Sequence, residues 1–266
     1  MKVFDGFTFN DELDLLELRL ETLKDVVDTF VLVEFPVSFR RNTKPLHFSE
    51  NKDRFRAFID RIRVVSPTEF PTGPHPEIEH CQRRRIRDGL WDAAQGDLVL
   101  VGDVDEIPDP LVIQALKDEP PAHPMTFRQL LYYYYVDTAL PVAWKGTVAA
   151  PWGVGPDFDA EKLRQLRHHF PCVDGGWHFS WLGSSAQINS KLACIDVRAD
   201  VKLYPSDVVC PKDGDIEFIE ACRSGKADIF GRDIAITQVP IEPGLRQPAP
   251  ILPWLARFPH YSSSTP

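Results

Sequence analysis

Three short apolar runs, "TFVLVEF" (29–35), "IRVVS" (62–66) and "DLVLVG" (97–102), recur in the first hundred residues, each after a stretch of helical periodicity. In "DELDLLELRLETLKDVV" (11–27), Leu13, Leu16, Leu20, Leu23 and Val27 fall at helical spacing with acids and Lys24 opposite. Asn10 or Asp11 is positioned to cap that helix. Residues 50–61 and 77–94 repeat the amphipathic pattern. Helices and strands alternating over short links predict βαβ units and a parallel sheet covered on both faces. Such sheets take ligands at the carboxyl ends of their strands. Glu34, closing the first predicted strand, and Asp103, following the third, both fall at such ends.

Beyond the third run the chain reads "GDVDEIPDP" (102–110), with Asp103, Asp105 and Glu106 crowded into four residues. Asp109 and Pro110 then start a helix over 109–118, as cap and first helical residue. Strand-like stretches follow at 125–137, 142–151 and 176–182, and helical ones near 185–195 and 214–224. The last 27 residues carry seven prolines. The expected organisation is a single domain over 1–240 and a Pro-rich, partly mobile extension over 241–266.

Crowded carboxylates repel unless a cation sits between them. In an extended segment Asp103 and Asp105, two apart, can face the same way. Placed at a sheet's binding edge, they suit Mg²⁺ or Mn²⁺, which keep positions for water and phosphate oxygens. The competing reading leaves Asp105 and Asp109 as turn caps and the other acids in solvent. In "GGWHFSWLG" (175–183), Trp177, Phe179 and Trp181 share one predicted face and His178 the other. Aromatic faces of this kind suit sugar rings; His178 is a core histidine or a metal ligand. "CQRRRIRDGL" (81–90) puts Arg83 and Arg87 on one helical face, where planar guanidinium groups suit phosphate.

The charge balance narrows the partners. A net charge of −9 argues against a general nucleic-acid binder. Five scattered cysteines without a C-x-x-C pair fit a reducing compartment. No apolar stretch has the ~18 residues of a membrane span. "MKVFDGFTFNDELDLL" is not a signal peptide. The expected location is cytoplasmic, with peripheral access to a membrane left open.

These pieces, in this order, resemble glycosyltransferase family 17, whose best-known members are β-1,4-mannosyl-glycoprotein β-1,4-N-acetylglucosaminyltransferases. The resemblance rests on residues 10–34, "KPLHF" (44–48), "QRRRIRDGL" (82–90), "DVDEIP" (103–108), "WKGT" (144–147), "GGWHFSWLG" (175–183) and "GKADIFGRD" (225–233). It implies an α/β fold of GT-A type, a Rossmann-like central mixed sheet with helices on both faces. It further implies a UDP-sugar donor, most simply one carrying N-acetylglucosamine, a glycan or glycoconjugate acceptor, a divalent metal and inversion at the anomeric carbon.

Carried over, Asp103, Asp105 and His178 are the expected metal ligands. Glu34, Lys44, Arg83 and Asp103 are expected at the nucleotide and its phosphates, and Trp177 and Trp181 at the acceptor. For the catalytic base, Asp174 is preferred over Glu106, which can instead hold the turn. The family's "AH-x-E"-like stretch corresponds here to "ACIDVRAD" (193–200), without the histidine or the acid. Golgi members also carry a cytoplasmic tail, anchor and stem that this chain does not display. The alternatives are a nucleotide-sugar hydrolase or nucleotidyltransferase using the same acids, and a non-catalytic carbohydrate-binding protein.

Overall fold

The computed structural model describes residues 1–69, 71, 75–153, 158–195, 214–225, 228–230 and 232–264. Residues 196–200 of "ACIDVRAD", part of "GKADIFGRD" and Cys210 therefore lie outside the described residues.

The chain opens with strand β1 (Val3–Phe9) and helix α1 (Leu13–Leu23), followed by β2 (Thr29–Glu34), α2 (His47–Asn51), β3 (Ile62–Val65), α3 (His75–Arg84) and β4 (Leu98–Asp103). A two-residue strand β5 (Glu106–Ile107) leads into α4 (Pro110–Asp118). The second half carries β6 (Met125–Tyr133), β7 (Thr138–Pro151), α5 (Ala160–Leu166), β8 (Cys172–Ser180), α6 (Ser185–Cys194), α7 (Ile216–Arg223), β9 (Thr237–Gln238) and α8 (Ile251–Arg257). Among the described residues the strands form one mixed sheet in the order β3-β2-β1-β4-β7-β6-β8-β5, with β9 paired to β7.

The α/β class and the central mixed sheet are as the sequence predicts. Strands β3, β2, β1 and β4 run parallel, and β7 joins β4 antiparallel. Every residue of β2 is buried, as a strand sandwiched between helices requires. On one face the leucines of α1, Ile113 and Leu116 of α4, and Ile251 and Trp254 of α8 pack into a common core. The opposite face is covered by Ile78, Ile86, Leu90 and Ala160, and Ile188, Leu192 and Ile219 close a third cluster over the later strands.

Four local readings change. The first strand is β1, so Glu34 closes the second. The expected helix over 50–61 is one turn of α2 and two 3₁₀ turns, Lys52–Phe55 and Ile59–Arg61. The 77–94 helix gives way after Arg84 to a 3₁₀ segment, Arg85–Gly89. Neither Asn10 nor Asp11 caps α1; the Glu12 carboxylate instead accepts from the N–H groups of both. Asp109 does cap α4, accepting from Leu111 N with Pro110 as first helical residue. The C-terminal segment lies against α1: Trp254 Nε1 donates to Asp14 O at 2.8 Å and Tyr261 Oη to Asp14 Oδ2 at 2.9 Å.

A buried ion pair fixes the turn after β4. Arg19 of α1, with no exposed surface, donates to both oxygens of Asp5 at 2.8 and 2.7 Å. Its remaining amino group donates to the carbonyls of Asp103, Val104 and Glu106 at 3.0, 3.3 and 2.8 Å. Removing one partner of such a pair strands the other without water. Arg19→Leu is expected to lower unfolding stability by about 3–5 kcal/mol, read as a fall in the urea midpoint at unchanged m-value.

Candidate functional site

Beyond the carboxyl ends of β1 and β4 lies a crevice of about 210 Å³, open to solvent, with Thr8, Lys44, Arg83, Asp103, Asp105, Trp144, Arg164, His178 and Lys191 among its lining. The "DVDEIP" and "GGWHFSW" stretches meet here because β5 pairs with β8, bringing Glu106 opposite His178 and Ile107 opposite Trp177. Gly176 permits that approach: its φ is +100°, and a Cβ there would stand 2.4 Å from Ile107 O.

The three acids of the turn have three different environments. Asp103 is clamped: its Oδ1 accepts from Thr8 Oγ1 at 2.9 Å and Arg83 at 3.1 Å, and its Oδ2 from Arg164 at 2.8 Å. Burial opposes its ionisation, yet the Arg164 and Arg83 guanidiniums hold its carboxyl well below the usual range. Glu106 is fully buried. It takes both amino groups of Arg164 at 2.6 Å and the indole N–H of Trp144 at 2.5 Å, and accepts from Asp103 N at 3.2 Å. Asp105 lies between Lys191 Nζ, 3.2 Å from Oδ2, and His178 Nε2, 3.6 Å from Oδ1. Burial again opposes the charge, and Lys191 and His178 keep Asp105 ionised far below the ordinary carboxylate range.

The other expected site residues divide. Lys44 and Arg83 line the crevice. Arg83 is also bound to Glu161 at 2.5 Å and Glu79 at 3.0 Å, so its charge is already shared. Glu34 is buried beneath Lys44, whose Nζ is 3.5 Å away, and accepts from Phe48 N. Asp174 is not brought to the crevice. It sits four residues before His178 on β8, exposed and ion-paired with Arg128, whose terminal amino group is 2.6 Å from Oδ2. Glu106 is fully buried, is not among the crevice residues and has both oxygens committed to Arg164. Neither is therefore held as a base facing substrate.

Trp177 and Trp181 are 2% and 5% exposed and are not among the crevice residues. Their expected common face fails because Trp181 has φ +54°, which turns it out of the strand and into a different cluster from Trp177 and Phe179. Trp144 does line the crevice, 4.8 Å from the His178 ring, as do Phe9 and Phe39.

Arg164, Lys191, Glu12 and Thr8 are the functional candidates that sequence reasoning missed. Arg164 comes from α5, a short polar helix without an apolar stripe. Lys191 comes from α6 and reaches Asp105 and, at 3.5 Å, Glu12. Burial pushes the Glu12 carboxyl up, against the pull of Lys191; burial likewise opposes the Lys191 charge, but Asp105 and Glu12 drive its ammonium well above the usual lysine range.

Among the described residues no group of three or more His, Cys, Asp or Glu side chains is arranged to hold a metal. Asp105 and His178 nevertheless offer a carboxylate and an imidazole side by side, and His178 Nδ1 is buried without a partner. That donor pair fits a hard divalent cation of the kind bound by one or two protein carboxylates and completed by phosphate oxygens. Asp103 lines the same crevice with its charge already shared by Arg83 and Arg164.

A sheet carrying a charged crevice at its strand ends belongs to the α/β proteins that take ligands at that edge. Within them, this chain belongs to glycosyltransferase family 17, whose pattern matches residues 1–191. It is 26% identical over 236 residues to the human and rat β-1,4-mannosyl-glycoprotein 4-β-N-acetylglucosaminyltransferases, covering 72% of this chain and 42% of theirs. The chain thus spans about two fifths of the length of the relatives it matches. Among solved structures it is similar to the galactosyltransferase LgtC in complex with donor and acceptor sugar analogues. That likeness has a TM-score of 0.34 and 12% identity, over 82% of this chain and 70% of that one. No helix among the described residues is long and apolar enough to cross a membrane.

The site also predicts a pH signature. Burial raises Glu34 from 4.5 to about 7, although Lys44 and the Phe48 N–H pull it down. Between those values the unfolded chain releases a proton that the native state keeps, so stability falls as pH rises from 4.5 to 7. The loss is on the order of 3 kcal/mol, complete above the folded value and absent below the unfolded one. Glu34→Gln is expected to flatten that slope in urea titrations run across the window.

Proposed function

We propose that this chain is a metal-dependent, inverting glycosyltransferase of GT-A type. In this reading it moves a sugar, first among candidates N-acetylglucosamine, from a UDP-sugar to a hydroxyl of a glycan or glycoconjugate. The observation that carries the reading is the Asp105–His178 pair beside Lys44, Arg83 and Lys191 at the carboxyl edge of the sheet. Family membership supports sugar transfer as the chemistry.

Asp105 and His178 would hold Mn²⁺ or Mg²⁺. When bound, such a cation supplies positive charge to the departing diphosphate. The chain's own residues do the rest. Arg83 and Arg164 keep Asp103 ionised and the turn rigid, so that Asp105 is presented in one orientation without reorganisation during reaction. Lys44 and Lys191 bring ammonium charge to the same crevice. Trp144 forms an apolar wall beside His178, suited to the C–H face of a sugar. The burial of Trp177 and Trp181 removes the aromatic platform on which a purely carbohydrate-binding reading rested.

The test is a panel of UDP-sugars with Mn²⁺, scored for thermal shift and then for transfer to glycan acceptors. A ligand that binds only the folded state raises its apparent stability. Sugar released as free monosaccharide at a rate indifferent to acceptor would replace this reading with the hydrolase. Asp105→Asn is expected to cut transfer by roughly 10²-fold or more, as loss of a positioned charge at the reacting diphosphate does. Asp174→Asn, altering an exposed ion pair away from the crevice, is expected to stay within about twofold of the wild-type rate.

A further inference from the structure

We propose that Lys191 is a tethered cation held on Asp105, which it must vacate when a divalent metal takes that carboxylate, and that its ammonium then turns to the donor's diphosphate. This deepens the metal-dependent reading above and rests on it.

The four oxygens of Asp103 and Asp105 differ in how firmly they are held. Those of Asp103 belong to Thr8, Arg83 and Arg164. The two guanidinium side chains are only 5% and 8% exposed. Each is shared with a second buried acid, Arg83 with Glu161 and Arg164 with Glu106. Neither can leave without stranding that acid in low dielectric. Lys191 is held differently: its side chain is 25% exposed, and its ammonium has Asp105 at 3.2 Å and Glu12 at 3.5 Å as ionic partners. An ammonium on a flexible four-carbon stem is a movable point charge, whereas a forked guanidinium is not. Asp105 is therefore the position at which one cation can replace another.

Charge explains the direction of the exchange. With Lys191 in place, Asp105 and Glu12 share one compensating charge. A dication on Asp105 balances both by itself, leaving the ammonium in excess and repelling it at close range. The charge that can draw Lys191 back is the diphosphate, which enters the same crevice and which lysine binds as a point charge. Lys191 thus opposes metal in the absence of nucleotide and favours nucleotide in the presence of metal. The two effects have opposite signs, which a merely structural lysine would not produce.

The experiment is calorimetric titration of Mn²⁺ into the nucleotide-free protein, followed by titration of UDP at saturating Mn²⁺. In Lys191→Met, Mn²⁺ alone is expected to bind roughly tenfold tighter or more, and UDP roughly tenfold weaker, for loss of one close charge. Lys191→Arg, which keeps the charge on a fork that moves less readily, is expected to bind Mn²⁺ no more tightly than the wild type. Should Lys191→Met fail to fold, Lys191→Gln carries the same two titrations. Wild type binding Mn²⁺ while the neutral variant binds it equally or more weakly overturns the proposal and leaves the metal-dependent reading standing. Tighter Mn²⁺ with unchanged UDP affinity overturns the transfer of Lys191 to the diphosphate. Mn²⁺ binding to neither protein, with or without UDP, overturns the metal-dependent reading and this proposal together.

Discussion

The guanidinium of Arg19 is the tie on which the geometry of the crevice depends. It sits without solvent between the first strand, the first helix and the turn after β4. Three carbonyls of that turn point at it and would otherwise be buried acceptors needing partners. With the backbone of residues 103–106 held from below, the side chains of Asp103, Asp105 and Glu106 can diverge into different surroundings. The Phe7 ring, 4.6 Å from the guanidinium carbon, adds a face that a hydrated lysine could not use as well.

Above that tie the second half of the chain is joined to the first through charge. Glu106 carries Arg164 from α5 and the indole N–H of Trp144 from β7, while Thr147 of β7 donates to its carbonyl at 2.8 Å. Gly102 leaves room for this: a Cβ there would meet Thr147 Oγ1 at 2.9 Å and Glu106 Oε2 at 3.2 Å. The crevice wall is thus assembled from elements 38 to 58 residues beyond Glu106, with that buried acid as the common partner.

Local sequence carried the fold wherever apolar periodicity and burial coincide. The strands β2 and β4 and the strand bearing "GGWHFS" meet that condition, while β3 is only half-buried and Asp109 was legible from capping chemistry. It failed where a buried position is polar for tertiary reasons. β1 reads "VFDGFTF", and the two residues that disguise it each answer a distant neighbour. Asp5 is there for Arg19, and Gly6 because a Cβ would stand 2.3 Å from the Ile86 side chain. Helix α5 hides for the same reason, since its inward residues include Glu161 and Arg164. Charged residues in sequence read as solvent-facing, and pairs such as Arg164–Glu106 become visible only when the chain is folded.

The same blindness applies to the D-x-D acids, which sequence treats as equivalent. Two carboxylates two residues apart cannot have identical surroundings at the end of a strand. Asp103 is still the last residue of β4 and faces the arginines of α3 and α5, while Asp105 has passed into the turn beneath α6 and β8. Rigid arginines make the first acid a fixed negative charge that orients its neighbourhood. One mobile lysine and a histidine with an unused nitrogen leave the second able to change partners. Spacing alone could give the pair, but which of the two can exchange ligands follows from the stiffness and burial of the cations that hold them.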